Sequence, residues 1–129
     1  MEPLEVKCRV AALVRPVMKG DHERVTSNFS EFITRDYPTE YKISVLLTSQ
    51  RFFRNRIYNK IKTIKSGGIS TGTEVSQKKA LGIYEEALES ANVYLAHLEM
   101  LDSGLTDLGC EIDEETSKLR QILKEYSFE

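Results

Sequence analysis

The sequence predicts an all-α domain, a small helical bundle built on an antiparallel hairpin of two long helices with shorter helices flanking them. From residue 20 onward, apolar side chains recur at steps of three and four residues, which is helical spacing. Two of these stretches, residues 38–65 and 73–102, are each long enough for a helix of about 40 Å. Residues 66–73 between them are rich in Gly, Ser and Thr, so we expect a flexible connector that lets the two helices fold back on each other.

The length and composition indicate one domain that spans residues 1–129. The chain is 40% hydrophobic and 29% charged, which is too apolar for a disordered chain. Its longest apolar run, residues 10–14, is far shorter than the roughly 20 residues of a membrane span. Residues 1–5 do not resemble a secretory signal. We therefore expect an intracellular protein, cytoplasmic or nuclear, that does not enter a membrane.

The first 19 residues are ambiguous between helix and strand. Apolar and charged side chains alternate along residues 4–10, which is typical of a strand. A lone strand would lack a hydrogen-bonding partner in a chain whose other segments are helical. We therefore favour a helix that begins at Pro3 and ends at Pro16. The alternative is a strand that pairs with another chain.

The second helix is expected to begin after Asp21, whose side chain suits an N-cap, and to end near Arg35. Pro38 suits the first turn of the third helix, because its missing N–H would have no helical partner there. The apolar positions of these two helices predict their buried faces: Val25, Phe29, Phe32 and Ile33 in the first of them, and Leu46, Phe53, Ile57, Ile61 and Ile64 in the second.

The fourth helix is expected to be capped by Thr73 and to end at the Ser103–Gly104 pair. Steps of three and four residues define its main seam, which consists of Leu81, Tyr84, Leu88, Ala91, Leu95 and Leu98. A last helix begins near Asp113, where acidic side chains favour a helix N-terminus. Its apolar positions are Leu119, Ile122, Leu123 and Tyr126.

The net charge of −2 conceals a strong segregation of charge along the chain. Residues 1–40 carry −1, residues 41–73 carry +7 with no acidic side chain, and residues 74–129 carry −8. The basic block is consistent with binding to RNA, DNA or another polyanion. The candidate residues are Arg51, Arg54, Lys62 and Lys65 for phosphates, with Phe52 and Tyr58 for stacking on bases.

The basic block also has an internal explanation. The hairpin would lay it beside the acidic fourth helix, where Glu85, Glu86 and Glu89 can compensate its charge. An acidic protein partner is the third alternative. We favour internal compensation over a polyanion.

The fourth helix carries a second apolar line beside its seam, formed by Ile83, Ala87, Tyr94 and Leu101. The two lines cover about half of the helix circumference, more than a surface helix usually buries. Either the other helices cover the second line, or another subunit does. These four residues are therefore candidates for a partner interface. A partner could instead add to the N-terminal segment.

The sequence offers no recognisable catalytic or metal-binding pattern. His22 and His97 are expected to be solvated or partly buried, and no set of ligands has zinc-site spacing. Cys8 and Cys110 are expected to be buried free thiols, with a disulfide between them as the alternative. Residues 67–73 lack the lysine of a phosphate-binding loop. We therefore expect no cofactor, no metal, no small-molecule substrate and no enzymatic activity.

The leading hypothesis is a non-enzymatic protein–protein interaction module, a small helical subunit or adaptor of a larger complex, with a protein partner or self-association. The alternative is an RNA- or DNA-binding small subunit of a ribonucleoprotein complex that uses the basic helix 41–65.

Overall fold

The computed structural model describes residues 3–67, 74–111 and 114–127, and within these ranges the chain is helical with no strand. The helices are α1 (Pro3–Val14), α2 (His22–Thr34), α3 (Thr39–Gly67), α4 (Glu74–Asp107) and α5 (Glu114–Ser127), with a short 3₁₀ helix (Arg15–Lys19) directly after α1. The predicted all-α fold with two long helices is therefore confirmed.

The N-terminal segment is helical, as favoured over the strand alternative. Residues 4–10 lie within α1, and Pro16 lies in the 3₁₀ turn that follows it. Gly20 ends this turn with a φ of 71°, a left-handed conformation that glycine adopts without steric cost. Asp21 then accepts a hydrogen bond from the backbone N–H of Arg24 at 3.2 Å. Asp21 is therefore the N-cap of α2, as predicted.

Helices α3 and α4 form the predicted antiparallel hairpin. The Gln50 side-chain amide donates to Asp102 at 2.5 Å near one end of the pair, and Lys60 lies 3.4 Å from Glu86 towards the other. Because residue numbers rise on α3 as they fall on α4, these contacts establish the antiparallel register. The hairpin buries the whole predicted face of α3, which consists of Leu46, Phe53, Ile57, Ile61 and Ile64.

The three shorter helices pack against this hairpin. Helix α1 lies along the N-terminal half of α3, where Arg9 Nε donates to the Tyr41 hydroxyl at 3.2 Å. Helix α2 lies against the C-terminal half of α4. Helix α5 runs back along α4, and the Tyr84 hydroxyl donates to the Tyr126 carbonyl at 2.8 Å. One core joins side chains from all five helices. None of the helices in the described ranges is long and apolar enough to cross a membrane.

The predicted end of the fourth helix was wrong, because α4 continues past Gly104 to Asp107. Gly104 marks a close helix contact instead of a break. A Cβ atom there would lie 3.0 Å from Ile33 Cδ1 and 3.5 Å from Leu46 Cδ1. The absence of a side chain therefore lets α2 and α3 approach α4. The turn comes later, at Gly109, which has a φ of 91°.

The predicted boundaries of the connector and of the seam also need correction. Ser66 and Gly67 belong to the last turn of α3, and residues 68–73 lie outside the described residues. Leu81, placed in the seam of α4, is 57% exposed. The contact between Lys60 and Glu86 puts Leu81 level with the last turn of α3, at the end of the bundle. The fully buried part of the seam consists of Ala91, Leu95 and Leu98.

The expectation of two buried thiols was wrong for Cys8. Both cysteines are free, but Cys8 is exposed and Cys110 is half-buried. Cys8 is exposed because it lies on the side of α1 opposite the residues that α1 buries in the core.

Candidate interaction surface

Helix α1 and the 3₁₀ turn carry apolar side chains on two opposite sides. The inner side is buried against the rest of the bundle and consists of Val6, Val10, Leu13, Val14 and Val17. The outer side faces solvent, and we call its exposed apolar residues the outer stripe; it consists of Leu4, Cys8, Ala11 and Met18. A helix that only covers a core needs one apolar side, so the outer stripe is not explained by folding.

The outer stripe has the spacing of a helix–helix contact. Its positions, together with exposed Arg15, follow one another at steps of four, three, four and three residues, which places them on one line along the helix. The two largest side chains are strongly exposed, Leu4 at 67% and Met18 at 74%. Contiguous exposed apolar residues of this kind mark interaction sites on soluble proteins.

A groove of about 850 Å³ lies between the outer stripe and α3. Its walls are mostly apolar or small, and it takes Thr48 and Phe52 from α3. Its two charged residues, Lys7 and Arg15, are both basic. The full lining consists of Lys7, Cys8, Val10, Ala11, Ala12, Val14, Arg15, Met18, Thr48 and Phe52.

A second cavity of about 780 Å³ lies on the other side of α1. There the Arg9 guanidinium lies 5.2 Å from the centre of the Tyr37 ring, in addition to its hydrogen bond with Tyr41. Glu5 and Glu40 also line this cavity, so its charge is mixed. Both cavities include Cys8 and Ala12 in their linings, and the outer face of α1 is therefore a low ridge with a depression on each side.

The structure separates the four predicted phosphate-binding cations. Arg51, Lys62 and Lys65 are exposed on α3. Arg54 is half-buried, and its guanidinium donates to the Gln50 side-chain oxygen at 3.2 Å. Arg54 therefore belongs to the hairpin contact that Gln50 makes with Asp102 on α4, and three of the four cations face solvent.

Both predicted base-stacking residues are engaged within the protein. Phe52 packs edge-on against Phe53. The Arg56 guanidinium lies 5.3 Å from the centre of the Phe52 ring. The Tyr58 hydroxyl donates to the Glu115 carboxylate on α5. These contacts hold both rings in place, while Phe52 is half-buried and Tyr58 remains 37% exposed.

Compensation between the basic and acidic helices is present at Glu86, one of the three predicted carboxylates. Glu86 accepts from the Ser90 hydroxyl at 2.9 Å and lies 3.4 Å from Lys60 Nζ. The Ser90 hydrogen bond and the Lys60 charge lower the pKa of Glu86. Because this carboxylate is well exposed, the pair stabilises the hairpin only weakly.

The second apolar line of α4 is largely covered by the bundle itself. Ala87, Tyr94 and Leu101 are buried. The Arg56 guanidinium lies over the Tyr94 ring, 5.2 Å from the ring centre. Ile83 is 43% exposed at the outer end of α4, two residues from exposed Leu81. Only that end of the line offers an apolar surface to a partner within the described residues.

The two histidines, far apart in sequence, meet between α2 and α4. His22 Nδ1 lies 3.0 Å from His97 Nε2, so one ring donates a hydrogen bond to the other. His97 is only 4% exposed, and burial, with a smaller contribution from His22, lowers its pKa to about 4. His97 is therefore a neutral core side chain at pH 7. The described residues contain no group of three or more His, Cys, Asp or Glu side chains placed to hold a metal ion.

The outer stripe is not evident from the sequence, because the alternation of apolar and charged residues along positions 4–10 is typical of a strand. The signal was nevertheless present: positions 4, 8, 11, 15 and 18 have the same step pattern that identified the seam of α4. Once residues 4–10 are helical, the even positions divide between the inner and outer sides of α1.

Comparisons with models of protein families, with curated proteins and with solved structures found no match to this chain.

Proposed function

We propose that the protein is a non-enzymatic interaction module, a small helical subunit or adaptor of a larger complex, and that its docking surface is the outer stripe of α1. The observation that carries the proposal is the exposed apolar line from Leu4 to Met18 on a helix whose opposite side already forms part of the core. Covering apolar surface of this kind favours association by about 25 cal/mol for each Å² removed from water.

The use of the polar side chains supports the non-enzymatic part of the proposal. His22 and His97 hold α2 against α4, Arg9 and Tyr41 join α1 to α3, and Gln50 joins α3 to α4. These side chains are thus engaged in contacts between helices. Their positions are explained by packing.

Nucleic-acid binding has weaker support. Arg51, Lys62 and Lys65 are exposed and would suit phosphates, whereas Phe52 and Tyr58 are engaged within the protein. Without stacking, three cations would supply only a weak and salt-sensitive interaction. We therefore treat polyanion binding as an outcome to be tested, and the outer stripe as the primary surface.

The test is quantitative affinity purification from the native cell with three forms of the tagged chain. The wild type is compared with the double variant Leu4→Glu/Met18→Glu, which places charge on the outer stripe. Leu81→Glu/Ile83→Glu is the matched control, because it changes two exposed apolar residues at the far end of α4. Circular dichroism checks that all three forms are equally helical.

We expect the outer-stripe variant to lose about 90% of specifically captured protein, and the α4 control to retain it. Equal capture by all three forms would remove the outer stripe as the docking surface. A fourth form, Lys62→Glu/Lys65→Glu, tests the ribonucleoprotein alternative, which nuclease-sensitive capture that is lost in this form would favour. Loss in the α4 control alone would move the interface to Leu81 and Ile83.

A further inference from the structure

The groove between α1 and α3 has a shape and charge that select one kind of partner. We infer that it binds an amphipathic helix of a different protein, with an apolar side against the groove and carboxylates on its flank. This inference rests on the proposed function and adds the chemistry of the partner.

The side of the groove that α1 provides suits a helix. Cys8, Ala11 and Ala12 are small, so the backbone of a partner helix can approach α1 closely. Met18 and Phe52 are the large apolar residues in the lining, and Met adapts its shape to different neighbours. A partner helix with apolar side chains at steps of three and four residues would bury these lining residues.

The charges of the groove select an acidic flank. Lys7 and Arg15 are the two charged residues of its lining, and no carboxylate is among the lining residues. They lie eight positions apart, which is about 12 Å along α1. Carboxylates about two turns apart on a partner helix would match Lys7 and Arg15.

A second copy of the chain is a poor occupant. An antiparallel pair of α1 helices centred on Ala11 would place Lys7 of each copy opposite Arg15 of the other. A parallel pair would place Lys7 opposite Lys7 and Arg15 opposite Arg15. Both arrangements oppose like charges along the apolar contact, which disfavours self-association through this surface.

A nucleic acid is also a poor occupant of this groove. Phosphates would satisfy Lys7 and Arg15 but would leave the apolar side chains of the lining, among them Ala11 and Met18, without an apolar partner. An acidic amphipathic helix would pair with Lys7 and Arg15 and would also cover the apolar lining residues.

Exposed Cys8 makes the occupant directly identifiable, because it lies in the groove. A photo-crosslinker is attached to Cys8 in the full chain carrying Cys110→Ser, which leaves Cys8 as the single thiol. After illumination in native cell extract, mass spectrometry identifies the cross-linked segment. The same labelled chain is prepared with Lys7→Glu/Arg15→Glu and, as a control with the same change in net charge, with Lys62→Glu/Lys65→Glu.

We expect cross-links to a segment of another protein that has helical apolar spacing and an acidic flank. The groove variant should reduce the cross-linked product about tenfold, and the control should leave it unchanged. The inference is overturned by cross-links to a second copy, to nucleic acid or to a segment without acidic residues. Equal loss in both variants, or no cross-linked product, also overturns it. If Leu4→Glu/Met18→Glu still abolishes capture in those cases, the proposed function stands without this partner.

Discussion

At the scale of single residues, several polar side chains in this protein act as packing elements. The centre of the His97 ring lies 5.3 Å from the centre of the Phe53 ring, and His97 is hydrogen-bonded to His22. A titratable group therefore occupies the core without a charge. The Arg56 guanidinium lies against the faces of Phe52 and Tyr94, which offer it a partially negative surface. Both arrangements depend on contacts between distant parts of the sequence.

The buried His97 predicts a pH dependence of stability. The pKa of His97 is about 4 in the folded chain, compared with about 6.5 for an unperturbed histidine. Between these values the unfolded chain binds a proton that the folded chain does not, so stability is lost as the pH falls from about 6.5 to about 4. We expect this residue to account for about 2 kcal/mol of the loss, measured by urea unfolding at pH 7 and pH 4.5.

A pair of variants isolates this contribution. In His97→Gln the stability difference from the wild type should shrink as the pH is lowered, because the unfolded variant no longer binds the additional proton. His22→Gln keeps the buried imidazole and should retain most of the pH dependence. An NMR titration in which His97 protonates near pH 6.5 in the folded chain would contradict the prediction.

At the scale of helices, close approach and exposed stripes decide how the elements are used. Gly104 lies inside α4, and its missing side chain leaves room for Ile33 of α2 and Leu46 of α3. Helix α1 carries apolar side chains on its inner side and again on its outer side. The first feature brings three helices together, and the second leaves a surface that the fold does not use.

The role of Gly104 is testable by comparison with Gly82, which lies in the same helix and would place a Cβ atom in open space. Gly104→Leu should lower the free energy of unfolding by about 2 kcal/mol or more, because the side chain overpacks the contact with α2 and α3. Gly82→Leu should be neutral or stabilising by up to about 1 kcal/mol, because Leu favours helix over Gly. Equal effects in urea unfolding would show that Gly104 is not a contact site.

At the scale of the whole molecule, one core runs from α1 to α5. Val10 of α1, Phe53 of α3, Leu98 of α4 and Leu119 of α5 all belong to the same cluster of buried side chains. The charge segregation along the sequence is only partly compensated by this arrangement. Lys60 and Glu86 pair across the hairpin, while Arg51, Lys62 and Lys65 remain on the surface.

A continuous core predicts that the protein unfolds in one cooperative transition. Leu119→Ala, in the last helix, should lower the free energy of unfolding of the entire chain by about 2–4 kcal/mol, because it removes a fully buried side chain. Urea unfolding followed by far-ultraviolet circular dichroism and by tyrosine fluorescence should give coincident curves. A separate early transition in the variant would mean that α5 unfolds independently of the hairpin.

Local patterns in the sequence predict α2 to α5 and most of their buried positions, because these depend on spacing and capping. Asp21 was recognised as an N-cap from its position, and the buried stripe of α3 from steps of three and four residues. The proposed docking surface was not recognised, since the alternation along residues 4–10 fitted strand and helix alike. Ser103–Gly104 likewise looked like a helix end.

The roles of the remaining residues depend on neighbours that are distant in the sequence. Whether a glycine breaks a helix or brings helices together depends on what lies opposite, and Ile33 and Leu46 lie opposite Gly104. Whether an apolar line is core or surface depends on which neighbours cover it: Tyr94 is covered and Met18 is not. Local sequence specifies the direction of a side chain relative to its own helix. The partner on that side is supplied by chain segments far away in the sequence.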